Sequence, residues 1–236
     1  MTTYQQYAEK PTQFMALTGY NREEFDALLP YFSECFYDRM KTYKVDGNLR
    51  GNRKYVDYQN SPLPTIEDKL FFILTFVKTN NLQSMQGAFF GISQPKANIW
   101  IHCLHPALNL ALEHLNALPA RYIEDVNFED SESPLYFQDG TERPIQRPSD
   151  YESQKMFYSG KKKRHTIKNN ILSNISSEII FLSNTVEGKR HDKKLADETI
   201  HDLPKGSLLA QDTGFQGFKL DGITIMQPKK SQEVGI

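Results

Sequence analysis

LYFQDGTER, residues 135–143, is a short apolar run that carries an aspartate, Asp139, into a glycine and a polar tail. Further along, LLAQDTGFQG (208–217) repeats the arrangement, with Leu208 to Ala210 leading to Asp212. Carboxylates at the ends or in the middle of buried strands are costly to desolvate unless something cationic neutralises them. Hard divalent ions with oxygen ligands, Mg²⁺ above all, are the usual partner. Taken singly, each aspartate also reads as a turn residue that ends a strand before Gly or Thr-Gly.

Working outward, Thr166 to Leu172 and Glu178 to Ser183 have the look of two further strands, with an irregular, proline-containing stretch (Pro144, Pro148) before them. His191-Asp192 opens a helix running through Leu195 and Ile200, and Ser207–Asp212 is the strand after it. If that last strand returns beside the first, both carboxylates meet at one end of a mixed sheet. Two-metal phosphoryl transfer needs such a pair, bridging ions about 3.5–4 Å apart. Between the first two strands lies the basic run Lys161, Lys162, Lys163, Arg164. It reads either as counter-charge to a nucleic-acid backbone or as a lysine-guarded sheet edge.

Upstream the pattern is helical. Residues 12–45 carry Asn21 and Glu24 in capping-box spacing, then Phe25, Leu28, Leu29 and Phe32 on one face. Residues 46–62 hold Gly, Asn and Pro with Arg50, Arg53 and Lys54 between them, a solvated basic loop with some capacity for phosphate. Thr65 and Asp68 mark the next helix start, a shorter helix covers Leu82–Phe90, and Ser93 caps a third after Gly91. A short helix, a tight glycine turn and a Ser-capped helix is the pattern of a helix-turn-helix, about 62–108. Gln94, Lys96 and Asn98 would then face a DNA groove; an ordinary three-helix bundle with a polar surface fits the same residues. His102 and His105 lack metal-ligand partners in the sequence and read as surface or packing residues. The acidic stretch 118–134 reads as a linker, giving a helical region at 1–117 and a strand-rich domain at 135–236.

Composition narrows the classes. A formal net charge of −1 means that any nucleic-acid affinity must come from local basic clusters. Cys35 and Cys103 form no C-x-x-C, so neither a disulfide framework nor a zinc site is indicated, and a reducing cytoplasm fits. The most apolar window, LFFILTFV (70–77), is too short to span a bilayer, and the polar opening MTTYQQYAEK is no secretory signal.

Four stretches, DGTERPIQRP (139–148), YSGKKKRHTIKN (158–169), FLSNTVEGKRHDKKLADE (181–198) and QDTGFQGF (211–218), closely resemble DDE-type insertion-sequence transposases, in the branch that includes Harbinger-like nucleases. The N-terminal half resembles the helix-turn-helix region that precedes the nuclease domain in that branch. The resemblance implies an α+β protein, an all-helical DNA-binding region followed by an RNase H-like mixed-sheet domain. It further implies Mg²⁺- or Mn²⁺-dependent DNA cleavage and strand transfer, binding of terminal inverted repeats in double-stranded DNA, self-association, and residence in the cytoplasm, with the nucleoid in a prokaryote. Asp139 and Asp212 sit where the family carries its first two catalytic, metal-holding carboxylates. Gly188, His191 and Asp192 match a further motif, with a supporting place beside the active site. The family's third carboxylate, a glutamate on a later helix, has no counterpart: Pro228-Lys229-Lys230 is present, but Glu233 lies in a tail without helical pattern. The domain therefore reads as incomplete, its sheet left with uncovered apolar surface. A frameshift at the Lys229-Lys230 codons would place the missing part in another frame. The alternative is a catalytically incompetent DNA-binding regulator of transposition.

Overall fold

A computed structural model of the chain describes residues 2–128 and 134–228. It divides after Leu118 into two compact units.

The first unit is all-helical among the described residues: α1 (Tyr4–Ala8), α2 (Pro11–Thr18), α3 (Arg22–Thr42), α4 (Ile66–Thr79), α5 (Gln83–Phe90) and α6 (Gln94–His114). The helical stretch 12–45 holds two helices, because Gly19 takes a left-handed φ of 78° and ends α2. Asn21 and Glu24 then make the expected reciprocal cap at the start of α3. The core is aromatic, with Phe14, Phe25, Phe32, Phe36, Phe71, Phe72 and Phe90 all buried. α4 is buried over Asp68–Thr75, which explains the concentrated apolarity of 70–77. At Gly87 of α5 a Cβ would fall 2.7 Å from the Ile92 carbonyl oxygen, so a glycine is required for the turn at 91–93 to fold back so closely. Gln86 donates from Nε2 to the Phe72 carbonyl at 2.9 Å and ties α5 to α4. Among the described residues no helix is long and apolar enough to cross a membrane.

The second unit is a mixed sheet with one helix packed on it. Its strands are β1 (Leu135–Pro144), β2 (Tyr158–Ser159), β3 (Arg164–Ser173), β4 (Ile179–Leu182), β5 (Val186–Glu187), β6 (Leu208–Gln211) and β7 (Thr224–Met226). The path is β2-β3-β1-β6-β7, with β4 and β5 also pairing with β3. β1 runs antiparallel to β3 and parallel to β6. α8 (Asp192–Thr199) precedes β6 and buries Ala196 beside Tyr136, Leu172 and Leu209. β1 extends seven residues past the Leu135–Phe137 start legible in the sequence, so Asp139 lies within a strand and not at its end. The irregular stretch after it contains a further helix, α7 (Tyr151–Phe157), whose Asp150 accepts from the Ser153 backbone N–H at 2.7 Å. The stretch read as a linker also departs from expectation over 119–128. Ile123 is buried in the second unit's core, and Ala120 pairs with Phe181. Residues 129–133 of that stretch lie outside the described residues.

Candidate functional site

The register of β1 and β6 determines the site. Leu135 pairs with Leu208, and the ladder runs to Gln138 opposite Gln211. Asp139 and Asp212 are each the next residue. Side chains alternate faces along a strand, and parallel neighbours lie about 4.8 Å apart. The two aspartates therefore share one sheet face, one strand spacing apart, and both are exposed. Each is steadied by its own backbone: Asp139 Oδ1 accepts from the Gly140 N–H at 2.7 Å, and Asp212 Oδ1 from the Gly214 N–H at 2.8 Å.

Behind them on the same face is an apolar row. Phe137 pairs with Ser173 and Ala210, and these pair in turn with Ile179 and Met226. Phe137, Ile179 and Met226 are 43%, 49% and 50% exposed, so this face presents apolar surface next to the acidic pair.

The opposite face is polar just where it should be apolar. Gln138 and Gln211 are buried, and Gln211 donates from Nε2 to Gln138 Oε1. Gln227 Nε2 donates to Gln211 Oε1 at 2.8 Å, Gln138 Nε2 to Asn170 Oδ1 at 3.1 Å, and Asn170 Nδ2 to Thr199 Oγ1 at 3.0 Å. A chain of amides thus crosses the sheet from Gln227 to α8 directly under the aspartates. The sequence held a hint of it, since both carboxylates are preceded by glutamine in Gln138-Asp139 and Gln211-Asp212.

Next to this chain is a buried ion network. Lys168 on β3 is 6% exposed. Its Nζ lies 2.8 Å from Asp192 Oδ1, 3.0 Å from the Arg190 carbonyl and 4.0 Å from Glu142 Oε2. Burial works to raise the Glu142 carboxyl, but hydrogen bonds from Ser159 and Thr166 and the Lys168 charge outweigh it and hold the group below its ordinary range. Asp192 stands at the first position of α8. A Cβ on Gly140 would meet Asp192 Oδ1 at 3.0 Å, and one on Gly214 would meet both Asp192 Oδ2 and Asp212 Oδ1 at 2.9 Å. The glycine after Asp139 and the glycine two after Asp212 thus both face this one carboxylate. Glu142 and Lys168 gave no signal in the sequence, because their pairing depends on the β1–β3 register.

The remaining sequence-read residues fall elsewhere. His191 caps α8 through its backbone and its side chain is exposed. Lys161, Lys162 and Lys163 form the tip between β2 and β3, and Arg164 opens β3; all four are exposed. In the first unit Gln94 and Lys96 are exposed on the first turn of α6. Gln94 Nε2 and Asn98 Nδ2 both donate to Gln83 Oε1 on α5, at 2.7 and 3.1 Å. Lys229, Lys230 and Glu233 lie outside the described residues.

Among the described residues no group of three or more His, Cys, Asp or Glu is placed to hold a metal ion. The pair itself fits a hard divalent ion in donor chemistry: two exposed carboxylates on one face, with Gly214 leaving open the space beside Asp212 that a side chain would fill.

A family described as DDE superfamily endonuclease matches residues 138–234. The chain is also 26% identical over 192 residues to a protein of Microchaete diplosiphon named a probable transposase for insertion sequence element IS702, a match that covers 79% of this chain and 67% of that one. No solved structure matches it.

Proposed function

We propose that this chain, which matches the DDE superfamily endonucleases over residues 138–234 and is similar to an insertion-sequence transposase, is a DDE-type transposase that binds the terminal inverted repeats of its element and takes part in metal-dependent cleavage and transfer of DNA strands. The observation that carries this reading is the shared face and matching register of Asp139 and Asp212. In it the second unit is an RNase H-like domain, and these two carboxylates hold Mg²⁺ or Mn²⁺. Held there, a divalent ion would supply charge for activating the attacking oxygen and stabilising the leaving one. The protein's own share is placement: Asp139 and Asp212 are fixed by their backbone hydrogen bonds before any substrate arrives.

Lys161, Lys162, Lys163 and Arg164, at an exposed tip, would lie along the phosphate backbone. In the first unit α5, the turn at 91–93 and α6 would act as a helix-turn-helix. Lys96 would contact DNA, while Gln94 and Asn98 are pre-aligned by Gln83. A second reading starts from the pair alone, since among the described residues no group of three or more His, Cys, Asp or Glu is placed to hold a metal ion. In that reading the chain binds the element's ends without cutting and regulates transposition. Incubating the chain with inverted-repeat DNA and Mg²⁺ separates the two. Specific nicking, lost in Asp139→Asn and Asp212→Asn, supports the nuclease; a bound but uncut site supports the regulator; no specific binding rejects both.

A further inference from the structure

We infer that Asp192, locked by Lys168, is a positioning residue that holds the two carboxylate-bearing strand ends at their working separation. The inference rests on the metal-holding role of Asp139 and Asp212 proposed above. Asp192 comes from α8, on the sheet face opposite Asp139, since Gly140, whose Cβ would meet it, points to the face where α8 packs. Toward Asp139 it therefore acts through the backbone from beneath, whereas its Oδ2 and Asp212 Oδ1 both border the open Cβ position of Gly214. One carboxylate oxygen faces Gly140, the residue after Asp139, and the other faces Gly214, whose N–H holds Asp212. Among the nearest neighbours of these two glycines, Asp192 is the one side chain common to both.

The carboxylate cannot drift, because its Oδ1 is fixed at 2.8 Å by a lysine that is itself 6% exposed and also bonded to the Arg190 carbonyl. The Arg190 side chain is held in turn by Glu187 and Glu198, at 3.0 and 2.6 Å. The turn leading into α8 is thus braced on both sides of Asp192. A rigid carboxylate wedged against two glycines fixes the separation of the strand ends, and that fixed spacing favours a divalent cation above.

The test is Mn²⁺ binding by the full chain, read by electron paramagnetic resonance as the affinity of the folded protein. Asp192→Asn, of nearly the same shape, is expected to weaken Mn²⁺ binding by roughly 10- to 100-fold, the range for groups that orient metal ligands. Gly140→Ala, which places a methyl 3.0 Å from Asp192 Oδ1 on the face away from Asp139, should do the same and decides the matter if Asp192→Asn fails to fold. A purely structural Asp192 would lower the denaturation midpoint yet leave the affinity of the folded fraction unchanged, and that result overturns the inference. Asp139→Asn and Asp212→Asn serve as the control on the underlying reading. If the parent chain binds no Mn²⁺, or these two variants bind it as the parent does, the metal reading falls first. If they abolish binding while Asp192→Asn leaves it intact, only the present inference falls.

Discussion

Removing either partner of the Lys69–Asp57 ion pair in the first unit should have sharply unequal effects. Lys69 Nζ lies 2.8 Å from Asp57 Oδ1, and the lysine side chain is fully buried while the aspartate is 29% exposed. Asp57 also accepts from the Tyr37 hydroxyl at 2.5 Å and the Tyr55 hydroxyl at 2.8 Å. Asp57→Ala strands a buried ammonium with only the Thr65 and Pro64 carbonyls, at 3.1 and 3.5 Å, and the Phe36 ring. Stranding a buried charge costs about 3–5 kcal/mol, and the retained carbonyls put this case near 3 kcal/mol. Lys69→Met removes the charge that needed burial and leaves Asp57 with two phenolic donors and contact with water, so about 1 kcal/mol is expected. The double variant should be more stable than Asp57→Ala alone, because no unpaired charge remains.

Burial works to raise the Asp57 carboxyl, but Lys69 and the two hydroxyls hold it below its ordinary range. Its contribution is therefore present above the unfolded value, about pH 4, and is lost as pH falls through the folded one. Urea unfolding followed by Trp100 fluorescence reads this unit directly, since Trp100 is the chain's one tryptophan and is buried there. Equal losses from the two single variants, or a double variant less stable than Asp57→Ala, would refute the reasoning.

Gly188→Ala would set a Cβ 1.7 Å from Thr166 Oγ1 and 2.8 Å from the Thr166 carbonyl oxygen. A loss of about 3 kcal/mol, the upper end for overpacking, is expected in the second unit's stability to denaturant, with partial recovery on adding Thr166→Gly. Glu142, held below its ordinary range, stabilises the second unit above about pH 4 and ceases to as pH falls through its folded value. The acid limb of the unit's stability profile should therefore flatten in Glu142→Gln, and an unchanged limb would count against the Lys168 network. If the tip lysines line DNA, replacing Lys161, Lys162 and Lys163 by Ala should lower the magnitude of the log K against log salt slope by about 0.9 for each phosphate they neutralise, without altering sequence preference.

The elements legible in the sequence are those whose signals are local. The Asn21–Glu24 cap, the helix opened by Thr65 and the strand Thr166–Leu172 are each written in a few adjacent residues, and each recurs in the structure. The two aspartates stand out in the sequence because a repeated apolar-run-to-Asp pattern needs no knowledge of pairing. α7 was missed because two prolines precede it and its seven residues include no buried position, leaving no periodicity to see. The stretch 119–128 was read as linker because its acidic composition masks one buried residue, Ile123, that docks it. For Asp192 the family resemblance implies a supporting place beside the site, but how it would position the aspartates cannot be read from the sequence. Its partners, Lys168, Gly140 and Gly214, come from three separate segments that only the sheet register brings together.

That register explains why the second unit buries so much polarity beneath its candidate site. A slip of one residue between β1 and β6 would turn Asp139 from the open face into the core. The apolar side chains around it, Leu135 and Phe137 on one face and Tyr136 on the other, would make poor guards against such a slip, since apolar contact is non-directional. The amide chain from Gln227 through Gln211, Gln138 and Asn170 to Thr199 is directional, and it is satisfied in one register. Shifting either strand would orphan buried amides at about 1–3 kcal/mol each, a large fraction of the stability of a domain this size. Polar groups that would weaken an ordinary core instead fix which neighbour each carboxylate has. The two aspartates can therefore stay exposed, with their spacing set from below and not by contact with each other.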